Sequence, residues 1–294
     1  MSLDLDERQR AMLQEMDVHV WWPAVANAVE PAAHAAAALP SPSSLALPVA
    51  LAHRVPGKQD APVTIANYAQ GARATGIKLP DFVPQDMADI GAMSWPALQQ
   101  AVATCQACKL CEGRKNTVFG AGQAPADANA APQADWLIVG EAPGENEDRT
   151  GEPFVGQAGK LLDNMLKAIG QERHRNVYIA NVIKCRPPGN RNPEVGEVAQ
   201  CEPYLRRQIE LLQPKIILAM GRFAVNSLLQ ESRPDVHKLP LGKLRGQVHH
   251  YASAGRSVPV IATYHPAYLL RNLPEKAKAW ADLCLAMEVA ANPA

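Results

Sequence analysis

Residues 94 onward predict an α/β fold, a parallel sheet covered by helices on both faces, and two observations carry the prediction. Short apolar runs bounded by turn residues occur at 136–139, 177–183, 216–220 and 258–262, the pattern of strands buried on both sides. Between them, stretches 157–169, 195–212 and 222–230 have helical periodicity and lengths that suit the crossovers parallel strands require. Ligands of such sheets bind at the carboxyl ends of the strands. The turns after the four runs are therefore where function is sought.

The chain ahead of this portion reads differently. Residues 5–22 (LDERQRAMLQEMDVHVWW) predict a short helix with Met12, Leu13 and Met16 on one face. From Pro23 to about Pro62, Ala and Pro dominate, and Pro23, Pro31, Pro40, Pro42, Pro48 and Pro56 remove backbone donors and break helices. This stretch reads as a tether. Residues 1–22 then serve as a docking peptide for a protein partner, or else form a frayed terminus or a helix packed on the domain. Residues 63–94 carry no interpretable motif. The division expected is an N-terminal extension over 1–94 and a catalytic domain over 95–294.

Formal charge is zero, from 29 basic and 29 acidic side chains, so whole-chain composition gives nucleic-acid binding no support. Its distribution is uneven. Residues 1–94 hold six Lys/Arg against ten Asp/Glu, which leaves 23 against 19 in the rest, so the basic excess sits with the motifs. No apolar run reaches the roughly 18 residues of a spanning helix, and Asp4, Asp6 and Glu7 replace the basic start of a signal peptide. A cytoplasmic chain is expected, in which the six cysteines at 105, 108, 111, 185, 201 and 284 serve metal binding rather than disulfides.

Four segments carry chemistry. GEAPGENED, 140–148, follows the first strand; its Gly-Glu-x-Pro-Gly turn holds the Glu141 carboxylate at the strand end and exposes backbone N–H groups. Gly151, Pro153, Phe154, Val155, Gly156 and Gly159 then open the next helix. The spacing lacks the Lys and Ser/Thr of a nucleotide loop, and no GxGxxG occurs. Nucleotide hydrolysis is disfavoured, while phosphate contacts to DNA stay open. Among the cysteines, Cys105 and Cys108 form a CxxC pair, and Cys185 and Cys201 bracket KCRPPGNRNPEVGEVAQC. Four thiolates hold either zinc or an iron-sulfur cluster, and Cys111 leaves the ligand set ambiguous. Cys284, in WADLCLAMEV, reads as core.

His265 opens HPAYLLR after the strand VPVIATY, placed to donate a hydrogen bond into a cleft, although a lone His is more often structural. Leu269, Leu270 and Arg271 supply an apolar wedge with a phosphate anchor. Asn181 ends the strand in VYIANVIKC. Its amide, donor and acceptor together, matches one edge of a pyrimidine, though a strand-end Asn also commonly holds a turn.

In order, CQACKLCEGR, VFGAG, GEAPGENEDRTGEPFVGQAGKLL, NVIKCRPPGNRNP and YHPAYLLRN resemble the family 4, iron-sulfur, uracil-DNA glycosylases over about residues 102–288. The resemblance implies a three-layer α/β/α fold around a four-stranded parallel sheet. It also implies a [4Fe-4S] cluster on Cys105, Cys108, Cys185 and Cys201, structural in role, with Cys111 outside the required set. The activity implied is that of a monomeric DNA-repair hydrolase acting on uracil-containing DNA. HPAYLLR presses into the duplex and the nucleotide flips into the cleft. Phe154 stacks on uracil, Asn181 reads its Watson–Crick edge, and Gly140, Glu141 and Ala142 complete the pocket. His265 stabilises the departing uracil anion, and Glu141 orients water or stabilises the sugar cation, with Glu147 a lesser candidate. Relatives that trap DNA covalently carry a basic, His-containing insertion after the Asn strand, and no KRRIH-like stretch occurs here. The alternative is an iron-sulfur DNA-binding accessory factor without turnover, which would have no need of Glu141, Phe154, Asn181 and His265 together.

Overall fold

The computed structural model describes Glu15 and residues 87–125 and 134–292. The helix expected over 5–22 and the tether from Pro23 to about Pro62 otherwise lie outside the described residues. Helices α1 (Met87–Ala92), α2 (Trp95–Thr104) and α3 (Leu110–Gly113) come first, then β1 (Ala121–Gly122), β2 (Trp136–Gly140), α4 (Glu145–Thr150), α5 (Gln157–Ala168) and β3 (Val177–Asn181). There follow α6 (Val195–Leu212), β4 (Ile216–Met220), α7 (Arg222–Leu229), α8 (Leu241–Leu244), β5 (Val248–Ser253), β6 (Arg256–Thr263), α9 (Pro266–Arg271) and α10 (Lys276–Ala291).

The sheet order is β1-β3-β2-β4-β6-β5. The four runs read as strands form its centre, with β2 paired in parallel to β3 and β4, and β4 to β6. The edges β1 and β5 are antiparallel. Neither edge has the apolar run that announces a buried strand: β1 is two residues long, and VHHYAS of β5 is exposed at alternate positions.

Every residue of β2, β3 and β4 is buried, and side chains alternate between two cores. Leu137 and Val139 join Tyr204, Leu205 and Ile209 of α6 and Val225 and Leu228 of α7 on one face. Trp136 and Ile138 join Leu162, Met165 and Leu166 of α5 and Trp280 and Leu283 of α10 on the other. Three layers result. Packing begins slightly ahead of residue 95, since Ile90 of α1 is buried in the first core and Met93 packs against it.

From β2 the chain runs outward to β3, then returns past β2 to β4. The crossovers diverge at the β2/β4 pair, and a crevice opens beyond the strand ends there. Among the described residues, no helix is long and apolar enough to cross a membrane.

Candidate active site

The crevice is a cleft of about 730 Å³ walled by the turns after all four parallel strands. Glu141, Ala142, Pro143 and Gly144 come from the turn after β2, Asn181 from the end of β3, Gly221 and Arg222 from the end of β4, and Tyr264 and His265 from the end of β6. Phe154, Asn190, Arg191 and Arg271 also line it. Gly140 packs directly behind: a Cβ there would stand 2.5 Å from both Asn181 Oδ1 and Phe154 Cζ. The strand ends on glycine because two cleft side chains occupy the space a larger residue needs.

Asn181 is almost wholly buried, yet its Oδ1 has no hydrogen-bond partner in the protein. A buried polar oxygen left unpaired costs about 1–3 kcal/mol. At the wall of a cleft, such an acceptor is poised for a donor that the protein itself does not supply.

Phe154 has φ 55°, a left-handed conformation uncommon for a bulky residue and costing of order 1–3 kcal/mol. The distortion sets its ring against the imidazole of His265, with centroids 5.4 Å apart and planes 30° from parallel. His265 caps α9: its Nδ1 accepts a hydrogen bond from the Ala267 N–H at 3.2 Å, so in the neutral ring Nε2 carries the proton. Burial, reinforced by the positive charge of Arg271, pushes the His265 pKa down to about 4. The imidazole is thus a neutral donor at physiological pH. Glu141 shifts oppositely, since burial raises its carboxyl to about 7, where both protonation states are populated.

Glu147 is otherwise occupied. Its Oε2 accepts from Gly144 N at 3.0 Å, and its Oε1 accepts from Val155 N at 2.9 Å and Gly156 N at 3.0 Å. It caps the backbone N–H of Gly144 at the start of α4 and pins the turn after β2 to the Phe154 loop. With both oxygens engaged by backbone N–H groups, Glu147 is a structural clamp instead of the lesser candidate for orienting water. Leu269 also differs from expectation. It is fully buried in the second core, so it is no part of a wedge, and the exposed apolar side chains of this region are Tyr268, Leu270 and Leu273.

A second cavity lies behind β3. Cys105, Cys108, Cys111, Cys185 and Cys201 all line it, with Val102, Leu110, Ile183 and Tyr204. Two donors aim at sulfur: Arg114 Nη1 to Cys185 Sγ at 3.2 Å and the Lys184 N–H to Cys201 Sγ at 3.3 Å. Burial pushes the Cys108 thiol up to about 11 and the Cys201 thiol up to about 12. Among the described residues, no three His, Cys, Asp or Glu side chains stand together as a site for one metal ion. Cys284 packs against the second core.

Two links tie this cavity to the cleft, and neither was visible in the sequence. Lys184, buried, donates through Nζ to the Asn181 carbonyl at 2.8 Å and to Gln208 Oε1 at 2.6 Å; burial lowers its pKa to about 8. Arg191, in the cleft, forks onto Glu197, which lines the cysteine cavity, at 2.9 and 2.6 Å. Arg191 lies in the NRNP run at 190–193, but nothing in that spacing pairs it with Glu197.

Comparison with known proteins falls on this portion of the chain. Residues 128–284 match the family model of the uracil DNA glycosylase superfamily. The type-4 uracil-DNA glycosylase of Sulfurisphaera tokodaii is 43% identical over 176 residues, covering 60% of this chain and 75% of that protein. That of Saccharolobus solfataricus is 43% identical over 173 residues, 59% of this chain and 76% of its own. The Archaeoglobus fulgidus enzyme is 43% identical over 169 residues, 58% and 79% respectively.

Proposed function

This chain belongs to the uracil DNA glycosylase superfamily and is a type-4, uracil-excising DNA-repair glycosylase; from that premise we propose how its own residues bind uracil and cleave its bond to the sugar. The observation that carries the proposal is the buried, unpaired Asn181 Oδ1 beside the Phe154 ring at a strand-end cleft. Uracil presents an N3–H donor next to an O4 acceptor. The Asn181 carbonyl accepts the first and its amide NH₂ donates to the second. Cytosine, with an acceptor at N3 and a donor at C4, meets two mismatched groups. Phe154 forms the stacking floor, and backbone around Gly140, Glu141 and Ala142 closes the pocket. A snug fit near C5 excludes thymine.

Cleavage places negative charge on uracil and positive charge on the sugar. The neutral His265 donates from Nε2 to the uracil oxygen on which that charge develops, a preoriented hydrogen bond of the oxyanion type. Glu141, ionised above about 7, faces the sugar side, where it orients water or stabilises the cation. Arg271 contacts phosphate, and exposed Leu270 presses into the stack as the nucleotide rotates out.

Cys105, Cys108, Cys185 and Cys201 would hold a [4Fe-4S] cluster, with Cys111 beside it. The support is a sulfur-lined cavity with N–H donors aimed at two of the sulfurs, a donor set that suits iron-sulfur ligation. When bound, the cluster is structural and staples the α2–α3 loop to the loop after β3. Residues 95–294 act as the catalytic domain, monomeric and cytoplasmic.

The direct test is release of free base from duplexes carrying one U:G, T:G or C:G pair. Release from U:G alone is expected. Equal release from T:G, or DNA binding with no release, would overturn the pocket assignment.

A further inference from the structure

Phe154 is held in a strained conformation, and the group that restrains its carbonyl side comes from a segment outside every recognised motif. Arg173 lies in the turn between α5 and β3. Its Nη1 donates to the Pro153 carbonyl and its Nη2 to the Phe154 carbonyl, each at 2.8 Å. Its Nε donates to Asp163 Oδ1 of α5 at 2.9 Å, which fixes the plane of the fork, and the side chain is only 14% exposed. The N–H side of the same loop is held by Glu147 through Val155 and Gly156. Gly159 leaves room beneath, since a Cβ there would come within 1.7 Å of the Phe154 carbonyl oxygen.

We infer that Arg173 is a positioning residue for base recognition: its guanidinium clamps the Pro153 and Phe154 carbonyls and so holds the Phe154 ring in its left-handed pose at the cleft. A planar, always-charged fork suits two adjacent carbonyls in a way that an ammonium does not. Free of the clamp, the Phe154 backbone relaxes towards an allowed region, and the ring leaves the plane facing Asn181 and His265. Asp163 orients the fork and touches nothing in the cleft. The inference rests on the proposal that Phe154 stacks on uracil.

The test is a double-mutant cycle read by single-turnover uracil release and by inhibition with free uracil. Phe154→Ala is measured first, and a rate and uracil affinity equal to wild type would mean that the stacking role itself is wrong. With that role standing, Arg173→Gln is expected to slow release and weaken free-uracil inhibition by about tenfold in the wild-type background, the factor that about 1.4 kcal/mol of lost positioning produces. In the Phe154→Ala background it is expected to change neither, because the group it positions is gone. Arg173→Lys keeps the charge but bridges one carbonyl at most, and serves in place of Gln should that variant not fold; an intermediate loss is expected. Equal losses in both backgrounds, or no loss in wild type, would overturn the inference and leave Arg173 a stabilising residue only.

Discussion

The opposed shifts of Glu141 and His265 set the pH dependence of the reaction. The perturbation is acidification from about pH 9 to about pH 5. His265, with its pKa near 4, stays neutral across that range, so its hydrogen bond to the leaving uracil is constant. Glu141 titrates at about 7, and each unit below this value removes tenfold of its carboxylate. The single-turnover rate should therefore be flat above about pH 7 and fall about a hundredfold at pH 5, with a slope of one. The assay is uracil release from a U:G duplex at saturating enzyme, which separates chemistry from the pH and salt sensitivity of DNA binding. Glu141→Gln should abolish the slope and leave the rate uniformly low. A rate that rises on acidification through 7 would mean that Glu141 acts as its protonated acid, and a flat wild-type profile would remove it from the reaction. Stability runs the other way. Between the ordinary value of 4.5 and about 7, the folded chain retains a proton that the unfolded chain has released. Glu141 therefore contributes stability that is lost as pH rises through this window, and Glu141→Gln should flatten that trend in thermal melts.

Other consequences are equally open to measurement. Gly140→Ala drives a methyl to 2.5 Å from Asn181 Oδ1 and Phe154 Cζ; overpacking of about 1–3 kcal/mol should lower the melting temperature and weaken free-uracil inhibition at least tenfold. Anaerobically purified protein should be brown, with about four iron and four sulfide per chain. That content should vanish in Cys201→Ala and persist in Cys111→Ala, whereas colourless protein with one zinc would contradict the cluster. Removing residues 1–86 should leave cleavage of a short oligonucleotide largely intact. Extending the deletion to residue 94 also strips buried Ile90, and at roughly 2–5 kcal/mol for a lost core side chain the melting temperature should fall.

The sheet centre was legible because both-face burial writes itself as unbroken apolar runs, as in WLIV of β2 and IILAM of β4. The edges were not. A two-residue strand and a half-exposed one carry no such run, and their pairing is decided by tertiary contacts. Glu141, Asn181 and His265 could be placed at the cleft wall because strand ends are where α/β sheets bind ligands, and Phe154 because it sits in the glycine-rich loop; all four line the cleft. Glu147 could be named from sequence but not assigned, since its three backbone partners at 144, 155 and 156 become neighbours only when the loop closes. Leu269 was misread as a wedge because α9 turns it inward while its neighbour Leu270 faces out. Arg173, Lys184 and Arg191 were missed for a related reason: each acts on backbone or buried side chains, which no spacing rule reports.

The central claim is that His265, Asn181 and Phe154 form one uracil site, and His265→Ala tests it most directly. With a labelled duplex carrying a single U:G pair, single-turnover release should fall by about 10²–10³, while affinity for the same duplex is little changed. Release at the wild-type rate, or a loss explained wholly by weaker DNA binding, would contradict the assignment of His265 to the leaving group.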